Sequence, residues 1–526
     1  MEERPPVPTE SEAFQLLDAI MLYFYEPQHL FDAREVSDRI SMFFESPQSQ
    51  LQNPTIWTLH IILIFAVGRL LRGETDGGSL LPGFKLFTFV DQNLPSPTQL
   101  RKQGLAGIEV LALMVVYLQN IDQKDDASIY AGLAIRLAIM HGLHRGHTTQ
   151  RLRRSESTHA NRLWWTIHML EKRIAIATGF PLVALDDTIM DTSLPTDSPG
   201  FPNPSSIRMN IRIAQIQGKI YSVIYSSEPH PEDLFLANVQ EIVSSLTQLA
   251  HHISHIPLAG ASALGHQMSR REQRTSISLY TVLYTTIMLT LRPVMLHLTK
   301  SILNAETTFA QTTKDFQQLS CTCIEAARRS IELLMVAKKE DMIAKFGFFD
   351  LDTMFSAGFI MLLAAIIEAA SPEHSASMVP FKSSPSILEA ITLLDYLGTF
   401  NNEAAIQRRD QIQKLYDRIP SLVRQPHPSE VSITSEGNHR HNALAEGIHA
   451  PVYPDESHQG IGRVPQSPNI TDNTGIEGWT VNSLPLQLPD DPQRMYTLYH
   501  NDDFTLTGGD VADFEELERH LFGNGG

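Results

Sequence analysis

The chain has 526 residues, 42% of them hydrophobic and 19% charged, with 41 basic against 59 acidic side chains and a formal net charge of -18. It is too apolar to be disordered throughout and too long for one compact core, so two or three structural units are expected. Its two cysteines, Cys321 and Cys323, stand one residue apart, which excludes a disulfide-dense secreted module and a four-cysteine zinc site, and points to a reducing compartment.

Residues 1–7 read as a flexible N-terminus without the basic-then-apolar order of a secretory signal. From residue 8 to about 425 the apolar positions recur at three- and four-residue spacing, which predicts helices over roughly 10–23, 33–45, 54–71 and 98–119. Strand alternation appears only in fragments such as Lys85 to Val90. Asp125-Asp126 can cap the next helix, whose stripe is Tyr130, Leu133, Ala134, Leu137 and Met140, and Gly142 suits a left-handed C-terminal cap. A further helix carries Leu163, Ile167, Leu170 and Ile174 and ends at Gly179-Phe180-Pro181. A hinge is expected at 192–206, where Pro195, Pro199, Pro202 and Pro204 cluster. Helical periodicity resumes over 208–225, 232–254, 269–298, 305–338, 351–370, 385–399 and 402–418. The uncharged runs Thr275 to Leu291 and Thr353 to Ile367 read as buried helices, and no membrane span is expected. The expected fold is all-α, a multi-helix bundle or stacked-helix array.

Residues 426–526 differ in kind, with 16 acidic side chains against 4 arginines and no lysine, 9 prolines and 11 glycines. That composition predicts a disordered acidic tail. Within it, 501–522 interleaves seven acidic residues with Phe504, Phe514, Leu517, Leu521 and Phe522. Phe514, Leu517 and Leu521 share a helical face, so the segment reads either as an acidic activation segment that docks on the transcription machinery or as an ordinary charged C-terminal helix.

Other constellations are weaker. His251, His252 and His255 put two imidazoles four residues apart without a carboxylate between them, and His141, His144 and His147 lack one as well, so no metal or cofactor is assigned. Asp186, Asp187 and Asp191 resemble the Mg²⁺-diphosphate aspartates of a terpene cyclase-like enzyme, but they follow Pro181 in a loop with no second metal-binding pattern. No catalytic residue is expected. The basic stretch Arg145, Arg151, Arg153, Arg154, Arg162, Lys172 and Arg173 could meet phosphates, yet it carries no base-reading residues, and pairing with acidic neighbours is the simpler reading.

Residues 127–197 go beyond generic helix. Gly142-Leu143-His144-Arg145 is followed by Arg162-Leu163-Trp164-Trp165, then Gly179-Phe180-Pro181, Asp186-Asp187 and Leu194-Pro195. This order resembles the fungal-specific transcription factor domain, the helical middle region of zinc binuclear cluster regulators, and Leu291-Arg292-Pro293, Phe355-Ser356-Ala357-Gly358 and the 393–418 hairpin fit the same family. The resemblance covers about 10–420 and implies a nuclear transcription regulator, DNA and zinc binding through a six-cysteine N-terminal module, and room for a homodimer or heterodimer and a small-molecule effector. Two cysteines cannot build that module, so DNA would be reached through a zinc module missing from these residues, or through a DNA-bound partner that this chain serves as co-regulator. Both tryptophans are expected to be packing residues.

Overall fold

In a computed structural model the chain is described over residues 5–75, 81–146, 152–181, 190–226, 231–253, 268–304, 307, 312, 314–370, 383–423, 499 and 506–522. Among those residues there are seventeen α-helices and no strand, the all-α architecture expected, and their buried side chains form two apolar cores.

The first core is built by α1 (Glu10–Phe24), α2 (Ala33–Glu45), α3 (Pro47–Gln52), α4 (Ile56–Arg72), α5 (Phe84–Asn93), α6 (Pro97–Lys102), α7 (Leu105–Asn120), α8 (Lys124–Met140) and most of α9 (Arg154–Thr178). Thr9 opens α1 as a capping box with Glu12, and Gly73 closes α4 in the left-handed conformation. α7 is buried on every side from Ala106 to Asn120, which fits its lack of a polar face. The expected helix over 98–119 is two helices, because Gly104 at φ +64° breaks it. Lys85 to Val90 is helical too: Leu86, Phe87 and Val90 pack inward, and the start of α5 lies so close to α4 that a Cβ on Gly83 would meet the Ala66 carbonyl oxygen at 2.5 Å. Asp125 and Asp126 sit in the first turn of α8, where they complement the helix dipole, and Gln123 occupies the cap. Gly142, at φ +73°, takes the left-handed position after α8 as expected.

The second core is formed by the end of α9 with α10 (Ser205–Ile224), α11 (Glu232–Ile253), α12 (Arg270–Leu303), α13 (Lys314–Lys339), α14 (Phe348–Ala370), α15 (Ser383–Gly398), α16 (Glu403–Val423) and α17 (Asp510–Phe522). α12 is its axis, packed on α1, α10, α13 and α14. α12 and α14 are long and apolar enough to cross a membrane, but their most apolar stretches are 89% and 83% buried inside the protein, so they serve as core helices.

Pro293 lies within α12, inside the helix expected over 269–298. Proline has no N–H to give the Leu289 carbonyl one turn earlier. The buried Tyr225 hydroxyl donates to that carbonyl at 2.6 Å instead, so α10 repairs the gap in α12. Tyr225→Phe is therefore expected to cost about 1–3 kcal/mol, the penalty of a buried acceptor left unmet, measured as a shift in the urea midpoint.

Candidate functional site

Two features stand out: the motif region on α8 and α9, and the place where the C-terminal helix docks.

The motif residues form a structural buckle. After α8, Leu143 is buried in the first core and its carbonyl accepts the Thr192 hydroxyl at 2.8 Å; Asp191 accepts the Gly146 N–H at 2.8 Å. The 192–206 segment, expected as a hinge, is a strap pinned along α9. Asn161 Nδ2 and Trp165 Nε1 both donate to the Ser193 carbonyl, at 2.8 and 3.0 Å, and the Arg162 guanidinium donates to the Pro202 carbonyl at 2.8 Å. Such bonds replace the mobility that four prolines suggested, because they satisfy carbonyls that a proline-rich segment cannot pair in a ladder. Trp164 is wholly buried and lies 6.0 Å, ring to ring, from both His144 and His168; Pro195 is buried and Leu194 half-buried against the same core. Arg145 flanks the turn, where its N–H donates to the Gly142 carbonyl, and Pro181 is exposed beyond α9. The basic stretch is not a patch. Arg162, Lys172 and Arg173 are buried, so only its N-terminal members Arg153 and Arg154 are exposed among the described ones.

Beneath this buckle lies a buried acid–imidazole chain that periodicity could not reveal. His29 Nε2 and His159 Nδ1 are 2.9 Å apart, His159 Nε2 is 3.2 Å from Glu109, and His60 Nε2 is 3.5 Å from the other Glu109 oxygen. Burial opposes the charged form of His159, but the hydrogen bond and charge of Glu109 outweigh it and raise its pKa; burial pushes His29 and His60 down. The raised His159 contributes stability that is present in full below its unfolded value of about 6.5 and is lost as pH climbs through its folded value. His29 and His60 act oppositely, resisting protons that the unfolded chain accepts below about 6.5. His159→Gln is thus expected to cost more at pH 6 than at pH 8.5 in urea unfolding.

The tail over 426–526 was expected to be disordered; residues 426–498 and 500–505 lie outside the described residues, whereas α17 is an ordered helix, in line with the second reading of 501–522. Phe514 and Leu517 are both buried in the second core, with the Phe514 ring 5.3 Å from Phe355 and 5.1 Å from Phe359 on α14. Leu521 is half-buried on the same face, Phe504 lies outside the described residues, and the side chain of Phe522 does too. Two acidic residues share that inward face. Arg292, 1% exposed, forms ion pairs with Asp510 and with Asp513, the latter at 2.8 Å. Burial works against the Arg292 charge, and the surroundings, led by Tyr225 and Asp513, more than offset it. Asp513 also accepts the Thr507 N–H at 2.7 Å, which fixes the turn into the helix. That turn touches the motif: a Cβ on Gly179, itself at φ +72°, would stand 3.4 Å from Thr507, and Tyr221 donates to the Phe180 carbonyl at 3.3 Å. At the far end Lys414 of α16 pairs with Glu518.

Pairing Asp510 and Asp513 with one buried cation removes two charges from the acidic segment's surface, while Glu515 stays exposed. The sequence signal was present in retrospect: two acids three residues apart on the same face as Phe514 and Leu517 require a buried partner. Of the other candidates, Asp186, Asp187, His147, His255 and Arg151 lie outside the described residues; His251 and His252 are exposed on α11, and among described residues no group of three His, Cys, Asp or Glu could hold a metal.

Residues 43–288 match the model of the fungal specific transcription factor domain. An uncharacterized transcriptional regulatory protein of Schizosaccharomyces pombe is 25% identical over 371 residues, which are 67% of this chain and 43% of that one. The thiamine repressible genes regulatory protein of the same yeast is 22% identical over 58% of this chain and 39% of its own, and an ABC-transporter-regulating transcription factor of Aspergillus fumigatus is 25% identical over 33% and 21%. The chain thus spans less than half the length of these relatives.

Proposed function

We propose, from the match of residues 43–288 to the fungal specific transcription factor domain, that this chain is a nuclear regulator of transcription whose helical body restrains an acidic C-terminal segment. The observation that carries the reading is the Arg292 clamp, because a segment of activation character has its apolar face and two of its acids held inside the protein. While docked, Phe514 and Leu517 cannot enter a partner's groove; undocked, they and the acids present the amphipathic face that such grooves bind. No catalytic role is assigned. Promoter contact is assigned to a zinc module outside these residues or to a DNA-bound partner, since two cysteines cannot form the six-cysteine cluster.

A reporter driven by fusions to an unrelated DNA-binding domain tests this. Residues 501–526 alone are expected to activate, the whole chain to activate several-fold less, and the whole chain with Arg292→Met to regain the difference. Silence of both the fragment and the Arg292 variant would contradict the reading. In that case the second reading stands, a co-regulator that works by binding a promoter-bound partner, favoured by the two-cysteine count.

A further inference from the structure

Where the two cores meet, α1, α7, α9, α10, α12 and the start of α14 line a partly open cavity of ≈40 Å³, and a second of ≈60 Å³ shares Arg173, Val282, Phe348 and Phe349 with it. The first cavity holds two guanidiniums and one carboxylate. Arg274, 5% exposed, spends one nitrogen on Asp350 at 2.7 Å, and the other Asp350 oxygen accepts the Ala344 N–H at 3.2 Å, so that carboxylate is fully engaged. Arg173, 6% exposed, has among the described residues no carboxylate within salt-bridge distance: it donates to the Asn210 amide oxygen and lies 4.8 Å over the Phe349 ring. Its Nε has no hydrogen-bond partner, nor do Nε and Nη1 of Arg274 or Oε1 of Gln28, which is 3% exposed. Burial alone pulls the Arg173 pKa down to about 10, so the group keeps its charge at neutral pH. A buried guanidinium without a counter-charge is costly, and a carboxylate matched to its planar fork offsets that cost.

We propose that this cavity binds a small organic acid, its carboxylate on Arg173 and Arg274 Nη1 and its short apolar body against Leu279, Val282 and Phe348. The excess of one positive charge matches one carboxylate. The apolar lining favours a hydrocarbon body over a bare inorganic anion. At roughly 10–15 Å³ per water-sized position, the first cavity takes about three such atoms, enough for the carboxylate group. The carbon chain of an acid such as butyrate must therefore also occupy the second cavity, which shares Val282, Phe348 and Phe349 with the first and is lined farther on by Gly508 and Asp510. The site stands on its own geometry and does not depend on the transcriptional role.

The test titrates the whole chain with sodium butyrate, against sodium chloride of equal ionic strength and against sodium phosphate, and follows the thermal midpoint and calorimetric heat. Butyrate is expected to raise the midpoint beyond chloride. Arg173→Gln should weaken binding by about tenfold to a hundredfold, the loss of one charge-assisted pair. Asn210→Asp supplies the missing carboxylate from within, although it gives up the amide donation to the Pro27 carbonyl at 2.7 Å, and should abolish the response with helical content by circular dichroism unchanged, so it serves if Arg173→Gln does not fold. No butyrate effect beyond chloride, an effect that survives either variant, or a phosphate effect equal to that of butyrate would overturn the proposal.

Discussion

Arg292→Met is expected to release the C-terminal helix while the remaining helices stay folded, seen as rapid proteolytic cleavage within 506–522 and an unchanged thermal transition for the body. Removing one partner of a buried ion pair costs about 3–5 kcal/mol, because the stranded charge stays desolvated, and here two carboxylates, Asp510 and Asp513, would be stranded together. The alternatives to holding them are limited. Phe514 and Leu517 contribute about 1.5–3 kcal/mol each on burial, whereas ordering a segment costs about 1–2 kcal/mol per residue. Two buried anchors, helped only by the half-buried Leu506, Val511 and Leu521, do not hold a thirteen-residue helix against that cost, so the clamp decides whether it docks. Undocking returns both carboxylates to water, and the loss therefore appears as local release. Global unfolding in the variant would show instead that α17 is an indispensable part of the second core.

Trp164→Ala is expected to destabilise the whole chain by about 3–5 kcal/mol, the cost of truncating a fully buried large aromatic that leaves a cavity. Trp165→Phe, by contrast, should cost less, about 1–2 kcal/mol, since it keeps a six-membered aromatic ring and loses the pyrrole edge with its hydrogen bond to the Ser193 carbonyl. Chemical denaturation of both variants measures the contrast. If Trp164→Ala kept its stability and lost only transcriptional output, the tryptophan pair would be a binding surface and not the buckle that ties the strap to α9.

Much of the helical body was legible because amphipathic helices advertise their period: α1 and α2 fall almost where the spacing predicts them. α14 and the uncharged run of α12 were legible by length instead, since burial on nearly all sides removes the polar stripe. What escaped the sequence depended on partners distant along the chain. α5 was hidden because its alternation imitates a strand until α4 supplies a surface for Leu86, Phe87 and Val90. The helix read over 269–298 already ran through Pro293, but no local rule announces the Tyr225 hydroxyl that meets the Leu289 carbonyl there. The same holds for the sites. Gly142, Gly179 and Trp164 were readable as motif residues and serve as structure, whereas Arg292 gains its meaning from Asp510 and Asp513, more than 200 residues away. Arg173 looked like one member of a basic face, and its burial and lack of a carboxylate became apparent only when α10, α12 and α14 closed around it.

The central claim, that the body holds its own acidic C-terminal helix through Arg292, is tested most directly by amide hydrogen exchange across 510–522 in the full chain. The account predicts protection of these amides in the natural protein and its loss in Arg292→Met, with α4, α7 and α14 protected equally in both. Exchange of 510–522 at the unprotected rate in the natural protein, or protection untouched by Arg292→Met, would contradict it.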